Sequence, residues 1–212
     1  MDNITKKSSD NENKKSTDDE NKKQVDVEYE SSILDYFPVK AGDRVAVLGA
    51  CTGGDVMHYA ELVDIKGFVL GVEPVSKNFE ILKRRVSQTW QITILKAAVW
   101  GWAGRGVINI GTNPTNHSLV KDWKIRRELV DMVTWDYIVE KFGRFDLCVM
   151  DIEGAEVDVV KSMKKNLPKC LIVEYHEKFG VNPEELIRML EERGYNVFRE
   201  MHIGMYLYCN LK

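Results

Sequence analysis

The chain has 212 residues and a formal net charge of -3, a balance that argues against a protein binding nucleic acid through a broad basic face. No apolar run reaches the length of a membrane span, and the N-terminus has no apolar signal core. Four widely separated cysteines without a C-x-x-C pair argue against a disulfide framework or a structural zinc site. We therefore expect a soluble protein of the reducing cytoplasm.

Residues 1–27 are rich in Lys, Asp, Glu, Asn and Ser and contain almost nothing to bury. Such a segment cannot offset the entropy lost on ordering, so we expect a disordered, charged tail. Residues 28–212 are then long enough for a single domain with a well-buried core. We interpret the tail as a solubilising extension, with a tether or partner-binding arm as the alternative.

A glycine-rich turn at residues 49–54 follows the apolar run 45–48 and precedes a helix pattern. Strand, tight turn and helix in that order are typical of the opening unit of a nucleotide-binding α/β fold. The next strand, Phe68–Val72, ends in Glu73, and a carboxylate about twenty positions past the glycines suits the hydroxyls of a ribose. The spacing is not G-x-G-x-x-G, but the turn and Glu73 together favour an adenosine-type cofactor.

Downstream, helix and strand patterns alternate. Helices are predicted from residue 55 to near 67, after Pro74 with Ser76 as the cap, and over residues 134–142, 154–163 and 183–193. Strands are predicted over residues 91–99, 106–110, 146–152, 170–175, 196–201 and 205–211. The charged run 124–128 is interpreted as a solvated face. The last two strands surround Gly204 and form a predicted hairpin.

This order predicts an α/β fold with a doubly wound, mainly parallel sheet that closes with an antiparallel C-terminal hairpin. Such a hairpin favours a methyltransferase-type sheet over a dehydrogenase-type sheet. Ligands of these sheets bind outside the carboxyl ends of the strands. One rim should therefore gather the glycine turn, Glu73, Ala97, Ala98, Asp151, Glu153, Gly154, Glu174, Tyr175 and His176.

Several segments resemble the FkbM-type S-adenosylmethionine-dependent methyltransferases: VAVLGACTGGD, GVEPVSKNFEIL, LKAAVWGWAG, NHSL, and VMDIEGAEVDVVKSM followed by LIVEYH. The resemblance covers roughly residues 45–198, and DIEGAE at residues 151–156 is its most specific part. It implies a Rossmann-like class I methyltransferase fold with a seven-stranded sheet. It also implies S-adenosylmethionine as the cofactor and methyl transfer, foremost to a hydroxyl oxygen of a small molecule or glycan.

The resemblance and the chemistry together suggest site residues. The expected cofactor-binding residues are Gly49, Ala50, Gly53, Glu73, Ala97, Ala98 and Asp151. The expected catalytic residues are Asp151, Glu153 and His176, since carboxylates at the end of a buried strand are costly unless used, and histidine is the commonest general base near neutral pH. Weaker candidates are His117 in the polar loop and Trp100 and Trp102 as an acceptor wall. No cluster shows metal-ligand spacing, so no metal is expected.

Two positions depart from the family pattern. Val47 stands where an acidic residue is common in the first strand, and Val149 stands where a lysine often precedes the aspartate of the motif. They motivate an alternative of another class, a non-catalytic binding or scaffold protein with the same fold. A dinucleotide-dependent oxidoreductase is a further alternative, weakened by the absent G-x-G-x-x-G and by the hairpin.

Overall fold

The computed structural model describes residues 37–111, 117–121, 126–200 and 205–212. Residues 39–212 form one compact unit. The predicted tail of residues 1–27 and the hairpin apex at Gly204 lie outside the described residues. None of the helices in the described part of the chain combines the length and apolar composition that crossing a membrane requires.

Strands and helices alternate through this unit. The strands are β1 (Arg44–Leu48), β2 (Phe68–Val72), β3 (Ile92–Leu95), β4 (Ala98–Val99), β5 (Gly104–Ile110), β6 (His117–Ser118), β7 (Arg126–Val133), β8 (Leu147–Met150), β9 (Cys170–Glu174), β10 (Tyr195–Arg199) and β11 (Tyr206–Leu211). The helices are α1 (Gly54–Val63), α2 (Ser76–Arg85), α3 (Trp135–Phe142), α4 (Glu156–Ser162) and α5 (Pro183–Glu192), with a short 3₁₀ turn at Glu177–Phe179.

The main sheet joins seven of the described strands in the order β3-β2-β1-β8-β9-β11-β10. The first five run parallel, and β11 runs antiparallel to both β9 and β10. This agrees with the predicted mainly parallel sheet and its terminal hairpin. Residues 45–48 of β1 are at most 1% exposed. Because successive side chains of a strand point to opposite faces, both faces of the sheet are covered here.

A second sheet is the main departure from prediction. The predicted strand 91–99 is divided: β3 belongs to the main sheet, whereas β4 begins a four-stranded sheet in the order β4-β7-β5-β6. The charged run 124–128, interpreted as a solvated face, leads into β7, which pairs antiparallel with β5. Alternate residues of β7, Val130 and Met132, turn inward and build a small core with Ile108 of β5. The alternation is obscured in the sequence because residues 126–128 are all charged and the exposed Leu129 is apolar.

Local signals explain several element boundaries. Ser76 was predicted to cap α2, but it is the first residue of the helix. Its backbone N–H and its hydroxyl both donate to Glu128 of β7. Helix α1 ends at Val63 rather than near residue 67. Helix α4 begins two residues later than predicted, since Gly154 has a φ of +106° and cannot continue a right-handed helix.

The turn after β1 lies directly against the end of β8. Gly49 has a φ of +89°, and a Cβ built there would lie 1.7 Å from the carbonyl oxygen of Asp151. The Gly49 N–H donates to the Val72 carbonyl at 3.0 Å, and the Asp151 N–H donates to the Leu48 carbonyl at 3.0 Å. Glycine is therefore required at residue 49 for two reasons, the positive φ and the close approach of the Asp151 backbone.

Substituting Gly49→Ala should destabilise the protein far more than Gly42→Ala. Gly42 has nearly the same φ, +94°, but a Cβ there would meet nothing within 4 Å. Gly42→Ala should lower the free energy of unfolding by about 1–2 kcal/mol, the cost of a left-handed alanine. Gly49→Ala adds the overlap with Asp151 and should cost more than about 4 kcal/mol, or prevent folding. Urea denaturation measures both, and equal losses would contradict the close approach.

Candidate functional site

A cleft lies at the carboxyl ends of β1, β2 and β8 and reaches the second sheet. It is lined by Gly49, Cys51, Val72, Glu73, Pro74, Asn78, Ala97, Ala98, Val99, Ile108, His117, Leu119, Asp151, Ile152, Glu153 and Ala155. Most of the residues expected at the rim thus meet in one cleft. The exceptions among the expected cofactor and catalytic residues are Ala50, Gly53 and His176, which lie beside or behind its lining.

Backbone geometry shapes the glycine turn at one end of the cleft. The Gly53 N–H donates to the Ala50 carbonyl at 2.8 Å, and Gly53 has a φ of +91° immediately before α1. Cys51 also takes a positive φ, +47°, which is uncommon for a residue with a side chain. In this conformation the N–H of Cys51 donates to the carboxylate of Glu73. The strained turn and Glu73 therefore support each other.

Glu73 is fixed by two backbone groups. Its Oε2 accepts the Cys51 N–H at 2.9 Å, and its Oε1 accepts the Val75 N–H at 2.8 Å. The residue is only 4% exposed. Burial raises the pKa of Glu73 to about 7, and the charge of Glu128 adds to this, although the two N–H groups and Asn78 oppose it. A pre-oriented carboxylate therefore faces the cleft.

The far end of the cleft is apolar. Ala97, Ala98 and Val99 line it from one side, and Ile108 and Leu119 come from the second sheet region. Sequence reasoning expected the two alanines but missed Ile108 and Leu119, because their approach depends on the unpredicted second sheet. It also missed the buried Asn78 of α2. Neither Trp100 nor Trp102 lines the cleft; the two rings pack edge to face, with centroids 5.4 Å apart.

Four carboxylates surround His176, which is 2% exposed. Its Nδ1 lies 2.9 Å from Glu156 Oε1. Its Nε2 lies 3.4 Å from Glu153 Oε2, 3.7 Å from Asp151 Oδ1 and 3.7 Å from Glu174 Oε1. The cluster joins the loop after β8 to the end of β9, since parallel neighbouring strands finish at the same edge.

Crowding of these charges shifts their proton affinities. Burial and the charge of Glu174 raise the pKa of Asp151 well above its usual range, although His176 opposes this. Burial lowers the pKa of His176, but the hydrogen bond and charge of Glu156, with Glu153 and Asp151, outweigh it and raise the pKa overall. Burial also raises the pKa of Glu153. The cluster therefore favours the binding of protons or of another positive charge.

The loop after β8 is braced from two sides. Glu153 and Gly154 have φ values of +51° and +106°. Glu156 Oε1 accepts the Gly154 N–H at 3.0 Å and so supports the loop. Ser118 of β6 donates its hydroxyl to the Glu153 carbonyl. Sequence reasoning missed this tie between the second sheet and the loop, although Ser118 belongs to the NHSL segment.

The comparisons with known proteins identify the family. A model described as the methyltransferase FkbM domain matches residues 48–197, well over half of the chain. The chain belongs to the FkbM methyltransferase family. It is therefore an S-adenosylmethionine-dependent methyltransferase by family, and this decides between the two enzymatic interpretations. A search of curated proteins gave no match.

Solved structures share the fold of this FkbM-family chain at low identity. An FkbM methyltransferase from Methylobacillus flagellatus KT is 16% identical with a TM-score of 0.53, over 79% of this chain and 43% of that chain. Aeropyrum pernix fibrillarin with natively bound S-adenosyl-L-methionine is 15% identical with a TM-score of 0.54, over 85% and 74%. A putative rRNA-methylase from Clostridium thermocellum is 15% identical with a TM-score of 0.54, over 89% and 96%.

The Glu73 carboxyl of the ligand-free protein should titrate near pH 7 rather than near its ordinary 4.5. The raised pKa means that the folded state holds this proton more tightly than the unfolded state does. The resulting contribution to stability is complete below about pH 4.5 and is lost as the pH rises through about 7. Carbon-detected NMR of the side-chain carboxyls measures the titration, and Glu73→Gln identifies the resonance. A midpoint near 4.5 would contradict the burial described.

Proposed function

We propose that this protein transfers the methyl group of S-adenosylmethionine to a hydroxyl oxygen of a small molecule or glycan. One observation carries the proposal: a single cleft runs from the Glu73-anchored glycine turn to the carboxylates of Asp151 and Glu153. The end with the glycine turn and Glu73 offers groups that can bind the ribose and the charged methionine part of the cofactor. The end with Asp151 and Glu153 offers proton acceptors. The four free cysteines support the expectation of a reducing cytoplasm.

The cofactor would lie along the β1 and β2 side of the cleft. The fixed carboxylate of Glu73 would accept hydrogen bonds from both ribose hydroxyls. Ala97 and Ala98 would flank the adenine at the apolar end. The turn of Gly49, Ala50 and Gly53, followed by the N-terminus of α1, would hold the methionine carboxylate.

Asp151 would then lie beside the methionine end of the cofactor. Its backbone touches the position where a Gly49 Cβ would stand, and its side chain is 43% exposed. During transfer the acceptor oxygen forms a bond with the methyl carbon while the carbon–sulfur bond breaks. The electron pair stays on sulfur, which yields S-adenosylhomocysteine, and the hydroxyl proton passes to a base. Asp151 and Glu153 line the cleft and are placed for that role.

His176 would act from behind these carboxylates. It does not line the cleft, and its Nε2 faces Asp151 and Glu153. A direct contact with the acceptor, as expected from sequence, is therefore less suited to its position than a role through the two carboxylates.

The two departures from the family pattern do not reach the cleft. Val47 and Val149 are paired neighbours in register across β1 and β8. An acidic residue and a lysine at these positions would form a cross-strand ion pair, and this chain replaces both at once with an apolar pair. Such joint replacement of a buried ion pair by well-packed apolar residues is often neutral for stability. This favours an active enzyme over a scaffold.

Calorimetric titration should detect binding of S-adenosylmethionine and S-adenosylhomocysteine but not of NAD. Glu73→Gln removes the charge that the ribose hydroxyls would meet, and Glu73→Ala removes the group. Each should weaken binding by about 10- to 100-fold, the worth of one or two hydrogen bonds to a charged group. The control is Glu80→Ala on the exposed face of α2. Binding of NAD without S-adenosylmethionine would overturn the proposal.

Methyl transfer can be tested with methyl-labelled cofactor and a panel of sugars, glycosides and phenols. Asp151→Asn should lower kcat by about 10²- to 10⁴-fold on any acceptor that is methylated, because it removes the proton acceptor. The KM for the cofactor should change much less. Asp158→Asn, on α4 but outside the cleft lining, is the control. Cofactor binding with no product from any acceptor would instead favour the scaffold alternative.

A further inference from the structure

We propose that Asp151, Glu153 and His176 form a binding site for one divalent transition-metal ion at the acceptor end of the cleft. The existence of this site is independent of the proposed function, whereas its role in holding the acceptor hydroxyl rests on it. No metal was expected from the sequence because these ligands lie on different elements. Residues 151 and 153 follow β8, and residue 176 follows β9.

The donor atoms lie at the spacing of ligands around one ion. One atom from each of the three residues lies within 4.8 Å of the other two. His176 Nε2 is 3.4 Å from Glu153 Oε2 and 3.7 Å from Asp151 Oδ1. Ligands that share an ion at about 2.1 Å are about 3–4 Å apart, so a small contraction would bring all three into contact. Glu174 Oε1, 3.7 Å from Nε2, is a candidate fourth ligand.

Two carboxylate oxygens of the cluster lack hydrogen-bond donors. Asp151 Oδ1 and Glu153 Oε2 are buried, and neither accepts a hydrogen bond within residues 37–111, 117–121, 126–200 and 205–212. Glu153 as a whole is only 8% exposed. Buried carboxylate oxygens without a donor are costly. A cation between them would satisfy both oxygens and the Nε2 lone pair together.

The outer contacts of His176 also match those of a metal-bound histidine. Its Nδ1 lies 2.9 Å from Oε1 of the fully buried Glu156. That oxygen also accepts the Gly154 N–H at 3.0 Å, so the carboxylate cannot swing away. A carboxylate on one ring nitrogen keeps the proton there and directs the other nitrogen at the ion, as in most histidine metal sites.

The balance of charge around His176 also favours a bound cation. Asp151, Glu153, Glu156 and Glu174 surround His176, and the only described lysine or arginine within ion-pair distance of their cluster is Lys178. Its Nζ lies 3.7 Å from Glu153 Oε2, and its side chain is 51% exposed. Without a metal, the imidazole proton and Lys178 offset only part of the negative charge. A divalent ion would displace that proton and compete with Lys178.

The types of donor atom limit which ion would bind here. One imidazole nitrogen with two or three carboxylate oxygens suits Mn²⁺ or Zn²⁺ better than Mg²⁺, which prefers oxygen alone. Because Asp151 lines the cleft, an ion bound here would have a coordination position facing the acceptor. A hydroxyl bound to such an ion ionises more readily, releasing its proton to water or to a neighbouring carboxylate. Its oxygen would then attack the methyl carbon.

The test is titration of the full chain, freed of metal with EDTA and exchanged into buffer, with MnCl₂ at about pH 8 and without cofactor. Electron paramagnetic resonance of free Mn²⁺ and calorimetry should show one site, and parallel titrations with Zn²⁺ and Mg²⁺ rank the ions. Asp151→Asn, Glu153→Gln and His176→Gln should each weaken binding by about 100-fold or more. Glu177→Gln, an exposed carboxylate on the same turn, should leave it unchanged.

The Lys178→Met variant should change the Mn²⁺ affinity in the opposite direction to the ligand variants. Removing this competing charge should tighten Mn²⁺ binding several-fold, which a merely structural role of the cluster would not produce. It also keeps the proposal falsifiable if a ligand variant fails to fold. The proposal fails if the wild-type protein binds none of the three ions, or if the ligand variants bind as the wild type does.

Cofactor titrations and methyl-transfer assays in EDTA separate the two proposals. A protein that binds S-adenosylmethionine and methylates at full rate in EDTA keeps its proposed function and loses the proposed role of the metal in methyl transfer. A protein that binds Mn²⁺ but not S-adenosylmethionine keeps the metal site and loses the proposed function.

Discussion

The contact between Gly49 and the carbonyl of Asp151 is the constraint on which this site depends. It holds the turn after β1 against the end of β8, so the two halves of the cleft share one backbone contact. Any side chain at residue 49 would force these strand ends apart. Because β1 and β8 are central, paired strands, such a shift would spread through the sheet and into the loop that carries Asp151 and Glu153.

Glu73 shows how the same backbone supports an ionisable group. Two N–H groups, from Cys51 and Val75, converge on its carboxylate, yet burial still raises its pKa to about 7. The cost of burying this carboxylate is offset only in part by the protein. Ligand hydroxyls that donate to it would supply the remainder, and for this reason a functional carboxylate can be left under-stabilised in the free protein.

Prediction from sequence succeeded where the signal was local. The first strand, its glycine turn, Glu73 and the apolar runs of β8 and β9 are each contained in a few consecutive residues. The second sheet was missed because β5 and β7 pair across about twenty residues. The alternation of β7 is also hidden by three consecutive charges at residues 126–128 and by the exposed Leu129. Asn78, Ser118 and the arrangement around His176 were missed for the same reason: their contacts cross elements, and spacing along the chain does not report them.

Charge is distributed unevenly between the centre of the sheet and its rim. Inside the sheet, the apolar pair Val47 and Val149 stands where the family often has opposite charges, so β1 and β8 pack without a buried ion pair. At the rim two residues further along β8, four carboxylates crowd around one imidazole. The apolar residues at positions 47 and 149 therefore do not indicate that the site has lost its charged groups. The rim keeps a cluster of carboxylates whose burial opposes folding. A costly cluster beside an open cleft is best explained by a positively charged occupant that binds after folding.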